Sequence, residues 1–198
     1  MPRVSQQQTD QNRIAIEKAS ARLFREKGLH GVSVAEVMAA AGLTHGGFYG
    51  HFSSKEGLAA VACAKAFEHS GARWDQHFAE LPERKDRRQA YVEGYLSTAT
   101  RDRPGNSCTA AALAGDVARA GADAPVRAAY LDGVKSMAAR LASLQPDAGT
   151  SEAEQRALAD VATLVGALLL SRATKGDPIS EALLSSARTR LLQEGAQP

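Results

Sequence analysis

Apolar residues recur at helical spacing along most of this chain, and the punctuation between the stripes reads as helix starts and stops. Ile16, Ala19 and Leu23 share one face of a first helix spanning about Thr9 to Lys27, with Gly28 just past its end. The polar residues before it, 1–8, read as a disordered arm. Ser33 followed by Glu36 is a capping box, and Val34, Val37, Met38 and Ala41 form a stripe that ends at Gly42. Gly42-Leu43 gives a tight turn, and Thr44 can cap a short helix reaching Tyr49 or Gly50. Ser53 with Glu56 repeats the capping box and opens a helix with Leu58, Val61 and Ala62 on its apolar side. That helix is expected to run through Trp74 and Phe78 to Leu81 and stop at Pro82, with Gly71 a place for a break or kink. Five later helical segments follow, at about 86–101, 109–119, 125–144, 151–175 and 179–194, with loops at 103–106 and 145–149.

Alanine is the commonest residue and β-branched residues are sparse, so the whole chain is expected to be all-α. Its 198 residues can bury a sizeable core, which removes any need for a disulfide framework or a structural metal. The run Val161 to Leu170 falls short of the ~20 apolar residues of a spanning helix. The polar N-terminus lacks a secretory signal, and Cys63 and Cys108 read as reduced thiols, so the expected location is the cytoplasm. The net charge of +2 is weak evidence for a polyanion partner, because phosphate affinity depends on where cations converge. Local motifs must decide.

Two short helices joined by Gly42-Leu43 have the geometry of a helix-turn-helix, over about residues 33–52, whose second helix would enter the major groove. Gly46 and Gly47 cost helix stability, roughly 1 kcal/mol each relative to Ala, a cost that close approach to a duplex rationalises. Tyr49 can donate its hydroxyl to a phosphate, Lys55 adds a cation at the amide end of the next helix, and His51 can act likewise.

Residues 10 to about 60 resemble the TetR family of bacterial transcriptional repressors. The likeness is carried by Phe24-Arg25-Glu26-Lys27-Gly28, Gly31-Val32-Ser33-Val34, Val37 with Ala41-Gly42-Leu43, and the run from Gly47 to Leu58. The resemblance implies a homodimer in which each subunit has an N-terminal helix-turn-helix DNA-binding domain followed by a larger helical domain that binds an inducer and pairs with its twin. On that reading residues 1–9 are a flexible arm, 10–70 the DNA-binding domain and 71–198 the ligand-binding and dimerisation domain. One departure stands out. The family often has Lys or Arg after the Thr that opens the recognition helix, and here it is His45, so operator affinity is expected to be pH-sensitive if His45 touches phosphate.

Each candidate also has a plainer reading. Ser33 and Thr44 cap helices whether or not DNA is present, and His51 reads equally as a buried histidine. Phe48 and Phe52 are expected to anchor the small core, whereas Tyr49, with little core to enter, and Lys55 are expected at phosphates. Arg3 and Arg13 can help from the arm and the first helix. Cys63 reads as core. Cys108, at the start of a helix whose dipole lowers a thiol pKa, reads either as an apolar filler, the preferred choice, or as a thiol that senses oxidants or electrophiles.

Trp74, Phe78, Tyr91, Tyr95, Cys108, Tyr130 and Met137 are candidate linings of an inducer pocket, though each also fits ordinary core, and Asp116 and Thr163 are polar groups that could orient a ligand. Leu158, Val161, Ala162, Val165, Leu168 and Leu169, with Leu183, Leu184, Ala187, Leu191 and Leu192, suit an intersubunit four-helix bundle made by the two C-terminal helices. The chain lacks a phosphate loop, an HExxH, a CxxC and a nucleophile elbow, so it is expected to be no enzyme and to need no metal or cofactor. The expected function is a DNA-binding repressor released from a palindromic operator by a small molecule; the alternatives are a thiol-sensing repressor and a helical protein-interaction module.

Overall fold

The computed structural model describes residues 6–194; residues 1–5, with Arg3, and 195–198 lie outside the described residues. Nine α-helices and two 3₁₀ turns make up the described part, and no strand occurs there. The helices are α1 (Gln6–Lys27), α2 (Val34–Ala40), α3 (Lys55–Ala79), α4 (Arg84–Tyr95), α5 (Thr98–Asp102), α6 (Thr109–Arg119), α7 (Pro125–Ser143), α8 (Ser151–Ala173) and α9 (Ile179–Glu194); the 3₁₀ turns are His45–Gly50 and Pro104–Asn106. No described helix is long and apolar enough to cross a membrane.

Two apolar clusters hold the chain together. The first gathers Ile16, Leu23 and Phe24 of α1, Val37 and Met38 of α2, Phe48, Phe52, and Leu58 and Cys63 of α3. Leu113 and Val117 of α6 and Val126 of α7 complete it, so helices late in sequence close the core of the first three. The second cluster joins α4, α6, α7, α8 and α9 through Tyr91, Tyr95, Leu141, Leu164, Leu168, Leu184 and Leu191. Phe67 and Tyr130 touch both clusters.

Several expectations are corrected. The first helix starts at Gln6, so Gln6–Gln8 are helical rather than a disordered arm. Gly71 does not break α3; a Cβ there would lie 2.8 Å from Nη2 of Arg140, so this glycine admits the guanidinium of α7. The segment expected as one helix over 86–101 is two, because the Ser97 hydroxyl accepts the Thr100 amide at 3.1 Å and restarts the chain as α5. In α8 the apolar stripe divides. Val161, Leu164 and Leu168 are buried in the core, whereas Leu158, Leu169 and Leu170 face outward. Leu184, Ala187 and Leu191 of α9 are likewise core.

Candidate nucleic-acid interface

The geometry of residues 28–57 follows from local chemistry. After α1 the chain turns at Gly28, whose φ of 77° lies in the left-handed region that glycine adopts without strain. The Ser33 hydroxyl accepts the Glu36 amide at 3.2 Å, and Oε2 of Glu36 accepts the Ser33 amide at 2.8 Å, a complete capping box. Lys27 clamps the other carboxylate oxygen at 2.9 Å. The Ser33 amide, then Lys27, hold the Glu36 carboxyl down to about 2. At the far end of α2, Gly42 has φ 72°, and the Leu43 amide reaches back to the Met38 carbonyl at 2.9 Å, so the turn is closed by backbone bonds alone.

The following segment, His45–Gly50, is a 3₁₀ turn rather than an α-helix. Phe48 anchors it, 1% exposed, stacked against Phe52 with ring centroids 6.0 Å apart and set edge-on to Tyr49 at 5.2 Å. With Phe48 inside, the neighbouring Tyr49 is forced out and is 71% exposed. Two capping expectations fail here. Thr44 has the extended backbone of a cap, but its hydroxyl caps nothing. The cap of α3 is Ser54, which accepts the Gly57 amide at 3.0 Å, one residue later than the Ser53 capping box expected.

Ser33, at the N-cap of α2, is exposed; on the run from the end of α2 to the start of α3, Thr44, His45, Gly46, Gly47 and Tyr49 are exposed and His51 and Lys55 half-buried. No hydrogen bond or ion pair among the described residues engages the side chains of Thr44, His45, Tyr49 or Lys55. A Cβ added to Gly46 or Gly50 would meet nothing within 4 Å, so no contact within the chain requires glycine there. Their helix-propensity cost is therefore uncompensated inside the molecule, as expected where another body approaches the backbone. Arg13 is different. Its guanidinium lies 4.5 Å above the Phe52 ring, donates to the His51 carbonyl at 2.9 Å and pairs with Glu17. It fastens α1 to this segment rather than standing free.

The matching family model is that of the bacterial regulatory proteins, tetR family, over residues 16–62. Residues 16–62 thus carry the N-terminal segment characteristic of the tetR family. A 48-residue stretch is 44% identical to the HTH-type transcriptional regulator YerO of Bacillus subtilis (strain 168), covering 24% of this chain and 17% of that protein. The chain thus matches about a sixth of the length of that curated relative. Among solved structures, a TetR-family transcriptional regulator from Cytophaga hutchinsonii is 22% identical, with TM-score 0.78 and 100% of both chains covered. A TetR regulator from Chloroflexus aurantiacus J-10-FL is 24% identical, with TM-score 0.78, 96% of this chain covered and 97% of the other. The reduced form of E. coli NemR is 20% identical, with TM-score 0.74, 90% of this chain covered and 95% of the other. These likenesses show that the TetR-family fold extends over the helices beyond the DNA-binding segment.

The residues expected to line a pocket separate into two groups. Trp74, Tyr91, Tyr95, Cys108 and Met137 surround a void of about 30 Å³, and Trp74, Tyr95 and Cys108 also border a cavity of about 330 Å³. Phe78 and Tyr130 line neither. Phe78 packs on Trp74 and Tyr91, and Tyr130 donates to the Ala110 carbonyl at 2.9 Å with its ring on Phe67, so both are core. Burial pushes the Cys108 thiol pKa up, outweighing the Tyr95 hydroxyl and the first-turn amides of α6 that pull it down, which corrects the expected lowering. Cys63 is pushed up to about 12 by burial, as befits a core residue. Asp116, one of the polar groups considered for a ligand, accepts the Leu29 amide at 2.8 Å. Thr163 lies in a groove between α8 and α9.

Sequence reasoning passed over Arg73, His77, Asn106 and Ser107, which border the larger cavity. Asn106 and Ser107 stand beside Cys108, and the α4–α6 connection is the one signal that could have drawn attention to them.

Proposed function

We propose that this chain is a sequence-specific DNA-binding transcriptional regulator, a repressor that grips a palindromic operator as a homodimer and releases it on binding a small molecule. The observation that carries the reading is the uncommitted surface of exposed Thr44, His45 and Tyr49 and half-buried Lys55 around glycines that leave the backbone bare. Tyr49 and Lys55 bind phosphates, Ser33, Thr44 and His51 flank them, and Gly46 and Gly47 bring the backbone to the groove, where His45 stands in place of the usual cation. The reading assigns the chain no catalytic step and no metal or cofactor.

Dimerisation through α8 and α9 is supported by outward-facing Leu158, Leu169, Leu170 and Ile179, which are 44–58% exposed. Beside them runs a groove floored by small residues, Ala162, Gly166, Ala182 and Ser186, that lets another helix approach closely. A Leu170→Glu variant is expected to sediment as a monomer; a dimer unchanged by it places the interface elsewhere.

Binding-site selection from random duplex DNA tests the main reading, comparing wild type with Tyr49→Ala and Lys55→Ala. An enriched palindrome, lost in both variants and weakened steeply by salt, is expected. No enrichment at low salt overturns the reading in favour of a helical protein-interaction module.

A further inference from the structure

The cavity of about 330 Å³ lies between α3, α4 and the 103–108 connection, and it shares Ser70, Trp74, Tyr95 and Cys108 with the smaller void beside it. Its size is at the lower end of the ~300–1,000 Å³ usual for ligand pockets. Two hydroxyls on these walls are buried without a hydrogen-bonded oxygen or nitrogen: Thr109 Oγ1, on a residue 1% exposed, and Tyr95 Oη, on a residue 5% exposed, whose one polar neighbour is the weakly accepting Cys108 thiol. Buried polar groups in native proteins are paired, so two orphans on one hollow point to a missing partner. The neighbouring hydroxyls are already engaged, Thr100 Oγ1 with the Gly94 carbonyl at 2.8 Å and Ser107 Oγ with the Pro104 carbonyl at 3.1 Å.

The charges around the hollow are one-sided. No acidic side chain lines either void. Arg73 at the wide mouth donates to the Asn106 carbonyl at 3.2 Å and pairs with no carboxylate among the described residues. Arg25 is close enough that, after burial, Arg73 is the next cause of its lowered pKa, and its Nε is buried without a partner. Arg172, next to Cys108, is held by the Thr100 and Arg101 carbonyls and the Ser107 hydroxyl instead of an acid. On the walls themselves, Arg140 of the smaller void is paired with Asp75, which leaves the Arg73 guanidinium at the mouth as the wall cation without a carboxylate partner among the described residues, and that favours an anion. Burial drives the Tyr95 pKa well up, so its hydroxyl stays protonated and donates. The walls are aromatic: the Trp74 and Tyr91 ring centroids are 4.6 Å apart, and Tyr91 stacks on Tyr95 at 6.0 Å.

We infer that this cavity binds a small aromatic carboxylic acid, its ring against Trp74 and Tyr95 and its carboxylate accepting from the Tyr95 hydroxyl and the Arg73 guanidinium. The Thr109 hydroxyl faces the smaller void, which has room for one ring substituent. The buried, neutral Cys108 thiol is a wall and forms no bond to the occupant. The inference deepens the proposed function by naming the class of its inducer, and its regulatory meaning rests on that reading.

Trp74 is the only tryptophan in the chain, so its fluorescence reports occupancy. The full chain is titrated with benzoate, phenylacetate, 4-hydroxybenzoate and cinnamate, with benzylamine and benzyl alcohol as cationic and neutral controls, and calorimetry is the second readout. At least one acid is expected to saturate and to bind about tenfold tighter than either control. Tyr95→Phe and Arg73→Gln are each expected to weaken it about fivefold, and Tyr95→Phe is expected to shift the melting temperature little, since its hydroxyl gives up only the weak contact with the Cys108 thiol. Saturation by no acid, equal binding of the controls, or wild-type affinity in Tyr95→Phe overturns the inference. Operator selection run in parallel separates the two proposals. An enriched operator with no acid bound defeats the pocket and leaves the DNA reading standing; an acid bound with no operator enriched does the reverse.

Discussion

The carboxylate of Asp116 accepts the backbone amide of Leu29 at 2.8 Å and so ties α6 to the turn that ends α1. A Cβ on Gly28 would stand 2.8 Å from the same carboxylate oxygen, so the contact needs both the left-handed turn and the absence of a side chain. Leu113 and Val117 of the same helix pack into the N-terminal core, which makes α6 the element shared by the DNA-facing helices and the cavity-bearing ones. Asp116→Ala leaves the Leu29 amide unpaired in a buried place and is expected to cost about 1–3 kcal/mol. Urea denaturation measures it, and a midpoint equal to wild type would show that the amide finds another partner.

Tyr49 contributes little to folding, because its ring is 71% exposed and meets Phe48 only edge-on. Tyr49→Phe is therefore expected to change stability by less than about 0.5 kcal/mol while weakening operator binding about fivefold through one lost phosphate bond. Lys55→Ala is expected to lower the slope of log affinity against log salt by about 1. Fluorescence anisotropy on a selected operator measures both. An unchanged slope in Lys55→Ala would remove that lysine from the phosphate contacts.

Much of this was legible in the sequence where a signal is local. The Ser33–Glu36 box, the Gly28 and Gly42 turns and the bounds of α9 each depend on residues a few positions apart. Phe48 inside and Tyr49 outside follow from the same short-range alternation of packing and exposure. The break before α5 was not legible, since the 95–98 stretch holds no Gly or Pro and the restart comes from one serine hydroxyl. Nor was the role of Gly71, a choice made by Arg140 in a distant helix. Which leucines of α8 face the core depends on where α7 and α9 lie, and the unpaired Tyr95 and Thr109 hydroxyls are defined only by what the fold fails to place beside them.

Arg88 and Asp160 form a salt bridge of 2.7 Å with both side chains under 10% exposed, and Arg88 also donates to the Leu191 carbonyl at 3.0 Å. Gln145 adds a third contact, donating to the Asp160 carboxylate at 2.8 Å. This cluster joins α4, α8 and α9. Asp160→Ala strands a buried guanidinium and is expected to cost about 3–5 kcal/mol, whereas Arg88→Met with Asp160→Leu is expected to recover most of that. Denaturation at one fixed protein concentration decides, since the proposed dimerisation would make the apparent stability concentration-dependent. A double variant as unstable as the single one would mean that Gln145 and the Leu191 carbonyl, left unpaired, carry the cost.

Gly133 sits where α7 crosses α3, and a Cβ there would lie 2.1 Å from the Phe67 ring. Helix propensity alone makes Gly→Ala stabilising by about 1 kcal/mol. The clash reverses the sign, and Gly133→Ala is expected to destabilise by about 1–3 kcal/mol through overpacking. A higher melting temperature would show that Phe67 swings aside freely.

The Glu36 carboxyl is held down to about 2, first by the Ser33 amide and then by Lys27. Its folded pKa lies below the ordinary 4.5, so the native state gains from its ionisation. That gain is complete above the unfolded pKa and is lost as the pH falls through the folded one, so the cap of α2 weakens between about 4.5 and about 2. A carboxyl titration by NMR is expected to give a midpoint near 2 in wild type. Lys27→Met raises the midpoint, and Ser33→Ala does so by less than losing the whole cap would, because the residue 33 amide remains. Amide exchange in the first turn of α2 is expected to quicken over the same acid window. A wild-type midpoint near 4.5 would mean that the box is open in solution, and that α2 is positioned by Val37 and Met38 in the core alone.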